Sequence, residues 1–409
     1  MAVIVQKFGG TSVGSLERIE AVAEQIVKTK RQGHQVVAVL SAMSGETNRL
    51  TKLAKSIDAN PSPRELDMLL ASGEQVSIAL LSIALIKRGF SAVSLLAHQI
   101  GLTTNNRFNK ARILNVDNTR MLQELQQGHI VVVAGFQGVD DEGNVTTLGR
   151  GGSDTSAVAI ATALQAKECQ IFTDVDGVYT TDPRIDENAK KLSHVSFDEM
   201  LEMASSGAKV LQTRSVEFAG KHKMPLRVLS SFAAGDGTGI TFEKEIDKAH
   251  PVSAITSHKD EAMIRLVGVQ HGAKFRDELF SALADGDIEI DMVIQTSSSA
   301  DVKAKLNINF TVHRNDYPGA LQLVHSLANT FLIDEVSGDE QLVKVSAIGN
   351  GMRSHTGVAA SIFSSLHHKN IEIYLISTAE IKISVLVKEQ DLQLAVRTLH
   401  EKFQLNTII

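Results

Sequence analysis

Two runs, Gln35–Leu40 and residues 129–134, are almost wholly apolar and rich in valine, and they constrain the fold more than any other feature of the chain. A strand with one face in water alternates apolar and polar residues. A strand that is apolar throughout must be covered on both faces, as in a parallel sheet layered between helices. The surrounding pattern agrees. Up to about residue 245 it reads strand 3–8, helix 15–31, strand 35–41, helices across 64–88, strand 91–96, helix 117–127, strand 130–134, helix 154–166 and strand 169–173. Such sheets bind ligands beyond the carboxyl ends of their strands, so the loops there carry the functional reading.

The first of these loops is Lys7-Phe8-Gly9-Gly10-Thr11-Ser12, between a short β-branched strand and a helix that Ser15 is placed to cap. A glycine pair at this position lets backbone N–H groups approach an anion, with the helix start adding partial positive charge and the lysine a mobile point charge. The pattern matches neither the Walker motif nor the dinucleotide fingerprint; taken alone it is equally a glycine turn with a solvated lysine. Ser41-Ala42-Met43-Ser44-Gly45-Glu46-Thr47-Asn48 offers hydroxyls and N–H groups to a phosphate or carboxylate, or is an ordinary turn. In Gly149-Arg150-Gly151-Gly152-Ser153-Asp154 the arginine can grip a carboxylate bidentately. Asp154 can orient a lysine, hold magnesium or cap the helix, and Ser153 is the other capping candidate. Residues 172–184, dense in Asp, Gly and Pro, suit a nucleotide's base and ribose, with Tyr179 for stacking and Arg184 for phosphate. Lys209 reads equally as a nucleotide contact or a surface charge.

Composition narrows the class. The chain has 409 residues, enough for two to three domains, and its net charge of -6 argues against a general nucleic-acid binder. Cys169 is the only cysteine, which excludes internal disulfides and thiolate zinc sites. No apolar run is expected to reach the roughly 18 residues of a membrane span, and no targeting segment is recognised, so a cytoplasmic protein is expected with no membrane partner. Residues 246–262 read as a linker. Beyond it Phe280-Ser281-Ala282-Leu283 recurs as Phe363-Ser364-Ser365-Leu366, and Ile288-Glu289-Ile290 as Ile371-Glu372-Ile373, at one common offset. Two βαβ units, 263–335 and 336–409, follow from this repeat.

Taken together, the motifs at Lys7–Ser12, Ser41–Gly45, Gly149–Asp154 and Thr173–Tyr179, in that order and followed by a tandem repeat, resemble the aspartokinases over nearly the whole chain. The resemblance implies an amino-acid kinase fold, a mostly parallel α/β sheet flanked by helices in residues 1–245, followed by two α+β ACT-type domains. It implies transfer of the ATP γ-phosphoryl group to the β-carboxylate of L-aspartate with Mg2+. That is the first step toward lysine (through diaminopimelate), threonine and methionine. By the same resemblance, Lys7, Phe8, Gly9 and Gly10 hold the transferring phosphate, and Thr173, Asp174, Tyr179, Arg184 and Lys209 line the nucleotide site. Glu74 pairs with the substrate ammonium, and Arg150 with Gly151, Gly152 and Ser153 grips its α-carboxylate. Ser41 and Thr47 complete that site, while Asp154 orients Lys7 or binds magnesium. Gln295, Ser354, Thr356, Ile373, Ser377 and Thr378 are the implied effector contacts for lysine or threonine, and pairing of ACT units implies at least a homodimer. The chain departs from the family at His271-Gly272-Ala273-Lys274, where Asp-x-Pro-Gly is usual, at Thr296 after Gln295, and at Glu372 in place of Asn. Weakened feedback is therefore expected. The alternatives are a kinase for another acid and a non-catalytic ACT-type amino-acid sensor.

Overall fold

The computed structural model describes residues 2–242, 250–270, 272–297, 305–328 and 330–407. Its amino-terminal half runs β1 (Val3–Phe8), α1 (Leu16–Arg31), β2 (Gln35–Leu40), α2 (Glu46–Ile57), α3 (Pro63–Leu70), α4 (Ser72–Lys87), β3 (Ala92–Leu95), β4 (Thr103–Thr104), β5 (Ile113–Asn115), α5 (Thr119–Gln126), β6 (Ile130–Ala134), β7 (Gln137–Val139) and β8 (Val145–Thr147). It continues with α6 (Gly152–Ala163), β9 (Glu168–Thr173), β10 (His194–Ser196), α7 (Phe197–Ser205), α8 (Thr213–His222), β11 (Leu226–Ser230) and β12 (Thr238–Thr241). Eight strands form one sheet in the order β10-β12-β11-β9-β1-β2-β6-β3, parallel throughout except where β11 meets β12. The short β4, β5, β7 and β8 form a second sheet that the periodicity does not reveal, since strands of two or three residues show no period.

Both faces of the main sheet are covered, as the apolar runs require. Val5, Val37, Val39, Val131 and Val133 pack on one side with Ala157, Val158 and Ile160 of α6. Phe8, Val36, Ala38, Leu40, Val132 and Ala134 pack on the other with Ile19, Val22 and Ile26 of α1 and Ile78, Leu81 and Leu85 of α4. The helical run 63–87 is long and apolar enough by composition to cross a membrane, contrary to expectation, yet this packing makes it a core helix that buries Asp67 and Glu74.

The remainder forms β13 (Ala254–Val269), α9 (Gly272–Asp285), β14 (Ile290–Ser297), β15 (Leu306–His313), α10 (Tyr317–Ala328), β16 (Glu335–Ile348), α11 (Val358–His368), β17 (Leu375–Thr378), β18 (Lys382–Lys388) and α12 (Leu392–Lys402), around one sheet ordered β14-β15-β13-β16-β18-β17. Two corrections follow. Residues 254–262 are strand, not linker, and each repeat adds a second helix and further strands to the expected βαβ. The expected boundaries at 262/263 and 335/336 also fall within or beside strands that serve both lobes. The first half of β13, Ala254 to His258, pairs with Ile348 to Lys344, while Met263 to Val267 pairs with Asp339 to Glu335; the register breaks at Glu261. Val252 and Ile255 accordingly pack with α11 and α12, and Ala262 and Ile264 with α9 and α10. A central strand shared across a lobe boundary leaves no trace in local sequence.

The two halves are joined through buried polar groups. Glu199 of α7 accepts from Ser253 Oγ at 2.7 Å, the Asn350 N–H at 3.0 Å, and Ser196 Oγ at 2.8 Å. The Ile255 N–H donates to Thr180 O at 2.8 Å, and His400 Nε2 lies 2.9 Å from Thr180 Oγ1 with its Nδ1 3.1 Å from Asp186. Glu199→Ala would orphan several of these donors, so it should destabilise the protein by about 2–3 kcal/mol. Glu202→Ala, which breaks a partly solvated pair with Lys382, should cost no more than ~1 kcal/mol. Thermal unfolding of both variants checks this, and equal shifts would remove Glu199 from its role at the junction.

Candidate active site

The register aligns the carboxyl ends of five strands. Phe8 sits opposite Leu40 and Phe172, Leu40 opposite Ala134, and Thr173 opposite Ser230. The loops after these residues therefore open on one edge of the sheet. Side chains alternate along a strand, so Lys7 points to the α6 side, as Val5 does, while Phe8 stacks on Phe172 at 4.7 Å on the other. There Lys7 Nζ meets Asp154 Oδ1 at 2.6 Å, with both side chains about 10% exposed.

Local backbone explains why Asp154 is available. The α6 helix begins at Gly152 and is capped by Gly151 in the left-handed region at φ 69°, so neither Ser153 nor Asp154 caps it, contrary to one reading of the sequence. Both lie in the first turn, where a carboxylate is favoured by the helix dipole. A side chain at Gly9 would come 3.4 Å from Lys7 Nζ, and one at Gly10 would crowd Ala42 O at 3.0 Å. One at Gly135 would strike Ser153 and Leu40 O at about 2.9 and 3.0 Å. Lys7, Gly9 and Gly10, the turn after β2 and the start of α6 thus crowd around one point.

Glu74 lies beside it. Rather than sitting in a turn, it occupies the first turn of α4, and α4 is held close because Gly73 abuts Ala42, where a side chain would approach to 2.8 Å. Glu74 is 3% exposed; its Oε1 accepts the Ala42 N–H at 2.9 Å and its Oε2 is buried without a hydrogen-bond partner. Burial pushes its carboxyl up to about 7, with the Ala42 N–H acting in the opposite direction. Arg150 is exposed and makes no ion pair among the described residues, and Gly149 before it turns at φ 75° against Asn109 O. Ser41 and Thr47 are half-buried, at the end of β2 and in the first turn of α2.

The expected nucleotide residues divide. Thr173 ends β9 next to β1, and its Oγ1 donates to Asp174 at 3.1 Å. Tyr179 Oη donates to Asp176, which also holds Lys191. Arg184 is bound by Asp182 and mostly exposed, while the next residue, Ile185, is buried in the carboxyl-terminal core. The loop from Asp174 to Arg184 thus also docks the second half of the chain, a task its Asp- and Gly-rich composition does not announce. Lys209 is exposed, in a segment whose Gly207 abuts Ser257 O of β13 and whose Gln212 covers Gly151.

Sequence reasoning missed Ser231, Phe232 and Arg18. Ser231 Oγ lies 2.5 Å from Ser12 Oγ, its N–H donates to Thr173 O, and Arg18 lies 4.1 Å over the Phe232 ring while donating to Ser231 O. The signal for Ser231 was a pair of serines, Ser230 and Ser231, where β11 ends.

A buried carboxylate with a free oxygen binds a cation best when ionised. Ionisation rises through about pH 7, so the apparent KM for a substrate bearing an ammonium should fall from pH 6 to pH 8, and Glu74→Gln should abolish the trend. In the free protein the raised pKa makes folding less favourable as pH climbs from the unfolded value through 7, so Glu74→Gln should also gain relative stability at pH 8. A KM independent of pH would contradict the assignment.

Comparison with known proteins identifies the family. The amino acid kinase family model matches residues 2–230, and an ACT domain model matches 264–327 and 345–403. An aspartate kinase of Stutzerimonas stutzeri is 52% identical over 407 residues, covering 99% of this chain and 98% of its own. The aspartokinase of Pseudomonas aeruginosa is likewise 52% identical, and aspartokinase 2 of Bacillus subtilis 44%, each over 99% of this chain and 98% of its own. Among solved structures, E. coli aspartokinase III in complex with aspartate and ADP aligns with a TM-score of 0.81 at 26% identity, over 98% of this chain and 99% of that one. The same enzyme with lysine and aspartate aligns at 0.76 and 27% identity, over the same shares of the two chains. With its catalytic fold, its ACT repeat and its full-length relatives in agreement, the chain belongs to the aspartokinase family.

Proposed function

We propose that this chain transfers the γ-phosphoryl group of ATP to the β-carboxylate of L-aspartate, giving 4-phospho-L-aspartate. The observation that carries the substrate assignment is Glu74, a buried carboxylate with one oxygen satisfied by Ala42 and the other left for a ligand cation. An α-ammonium fits it. Arg150, without an ion-pair partner among the described residues, suits the α-carboxylate, with Gly151, Gly152 and Ser153 beside it and Ser41 and Thr47 closing the site. The remaining carboxylate then faces Lys7. It is already ionised at neutral pH, with a pKa of about 4, so no general base is needed. The barrier is repulsion between two anions. Lys7, held by Asp154, and the Gly9 and Gly10 backbone supply fixed positive potential against it.

Nucleotide contacts are assigned to the backbone of Phe8 and to Thr173, Asp174, Tyr179, Arg184 and Lys209. No cluster of three or more potential metal ligands occurs among the described residues. This donor set fits Mg2+ carried by the phosphates with Asp154 as its protein contact. Bound there, the ion would neutralise phosphate charge. The enzyme is assigned to the cytoplasm, as a homo-oligomer joined through its ACT units.

Feedback by lysine or threonine is assigned as weak. Of the expected effector contacts, Gln295 already accepts from Arg276 at 2.7 Å, Thr356 and Thr378 are exposed, and Ile373 and Ser377 are half-buried. His271 and the Ser354 side chain lie outside the described residues. Glu372, where an asparagine is usual, can accept but not donate when ionised. Titration of lysine and threonine, singly and together, at subsaturating aspartate should leave activity above half at ~1 mM, since each lost polar contact is worth ~1–3 kcal/mol. Half-inhibition well below that would restore ordinary feedback.

Lys7→Ala should lower turnover at least ~100-fold without unfolding the protein. Hydroxamate formation with aspartate, glutamate and N-acetylglutamate tests the substrate. Turnover confined to aspartate is expected, a preference for another acid would reassign the enzyme, and no turnover with any would make it a sensor.

A further inference from the structure

Asp67, on α3, is fully buried with no cation beside it among the described residues. Its carboxylate instead accepts the Thr147 N–H at 2.7 Å, Thr147 Oγ1 at 2.7 Å and the Asn109 N–H at 2.9 and 3.1 Å. Burial raises its pKa while these donors oppose the rise. A charge this deeply buried survives only through such donors.

The donors it gathers frame the Arg150 turn. Thr147 ends β8, two residues before Gly149, and its carbonyl accepts the Ala111 N–H at 2.9 Å. Asn109 O sits where a side chain on Gly149 would be, 2.7 Å away, and Gly149 O accepts the Gly152 N–H at 2.9 Å as α6 begins. On its other side, α3 runs through Ala71 into α4 and Glu74, and Ala71 O is fixed by Gln137 Nε2 at 3.0 Å. One carboxylate therefore ties the loop bearing Arg150 to the helix bearing Glu74.

We propose that Asp67 is a positioning residue for substrate recognition, setting the turn that presents Arg150 against the helix that presents Glu74. The inference rests on the reading that those two residues hold the α-carboxylate and the ammonium of aspartate. An amino acid gripped at both ends tolerates little error in the spacing of its clamps, and a displacement of about 1 Å can cost up to ~100-fold. Asp67→Asn preserves size but turns an NH2 group toward N–H donors.

The test is steady-state kinetics with separate aspartate and ATP titrations on Asp67→Asn, Thr147→Val and Thr147→Ser, with thermal unfolding to confirm that each is folded. Asp67→Asn and Thr147→Val should raise the aspartate KM about tenfold or more, leaving the ATP KM and kcat within about threefold. Thr147→Ser, which keeps the hydroxyl, should behave as the parent. In an Arg150→Ala background, Asp67→Asn should add less than about twofold, because the clamp it positions is gone. A normal aspartate KM in folded Asp67→Asn and Thr147→Val, while Arg150→Ala raises it, would overturn the positioning role alone. A normal aspartate KM in Arg150→Ala would overturn the substrate reading and this proposal with it. Should Asp67→Asn fail to fold, the Thr147 pair decides.

Discussion

The contact between Lys7 and Asp154 depends on nearly everything else in the catalytic half. Lys7 reaches the α6 side only because β1 alternates, with Val5 and Lys7 facing one way and Phe8 the other. Asp154 reaches Lys7 only because α6 starts after the left-handed Gly151. Two charges this well buried are costly unless each satisfies the other, so the pair demands a rigid frame. The parallel sheet supplies it, with β1 hydrogen-bonded on both sides to strands of matched register. In return the sheet edge gains an ammonium held in a fixed position, where the proposed reaction brings an anionic nucleophile to a polyanionic phosphate.

Glu74 completes the logic by being incompletely satisfied. Proteins seldom leave a buried carboxylate oxygen without a donor, and a site for a cationic ligand is a physical reason to do so. Asp67 has both oxygens engaged by hydrogen bonds within the protein, whereas Glu74, Arg150 and Asp154, beyond its contact with Lys7, retain capacity for a ligand.

Much of this was legible in the sequence, and the gaps have physical causes. Continuous apolar runs gave away the parallel sheet because burial on both faces leaves no polar residue in β6 and only Gln35, at its start, in β2. Lys7, Arg150 and Asp154 stood out because glycines or strand ends flank them, whereas Glu74 came only from the family resemblance. The small sheet of β4, β5, β7 and β8 was hidden by its short strands. The sharing of β13 and β16 between two lobes was hidden because pairing partners lie about seventy to ninety-five residues apart, from Val267 and Glu335 to Ala254 and Ile348. Asp67 was illegible for the same reason: its donors, Asn109 and Thr147, are far away in sequence. The loop after β9 looked like a nucleotide loop alone, whereas Ile185 and Thr180 also anchor the regulatory half.

The account turns on Asp154 holding Lys7 at the reacting phosphate, and turnover of Asp154→Asn, measured at saturating aspartate and ATP on protein shown to be folded, tests that most directly. It predicts a fall in kcat of at least about tenfold, because an amide cannot anchor the ammonium by charge. Full turnover in Asp154→Asn would contradict it.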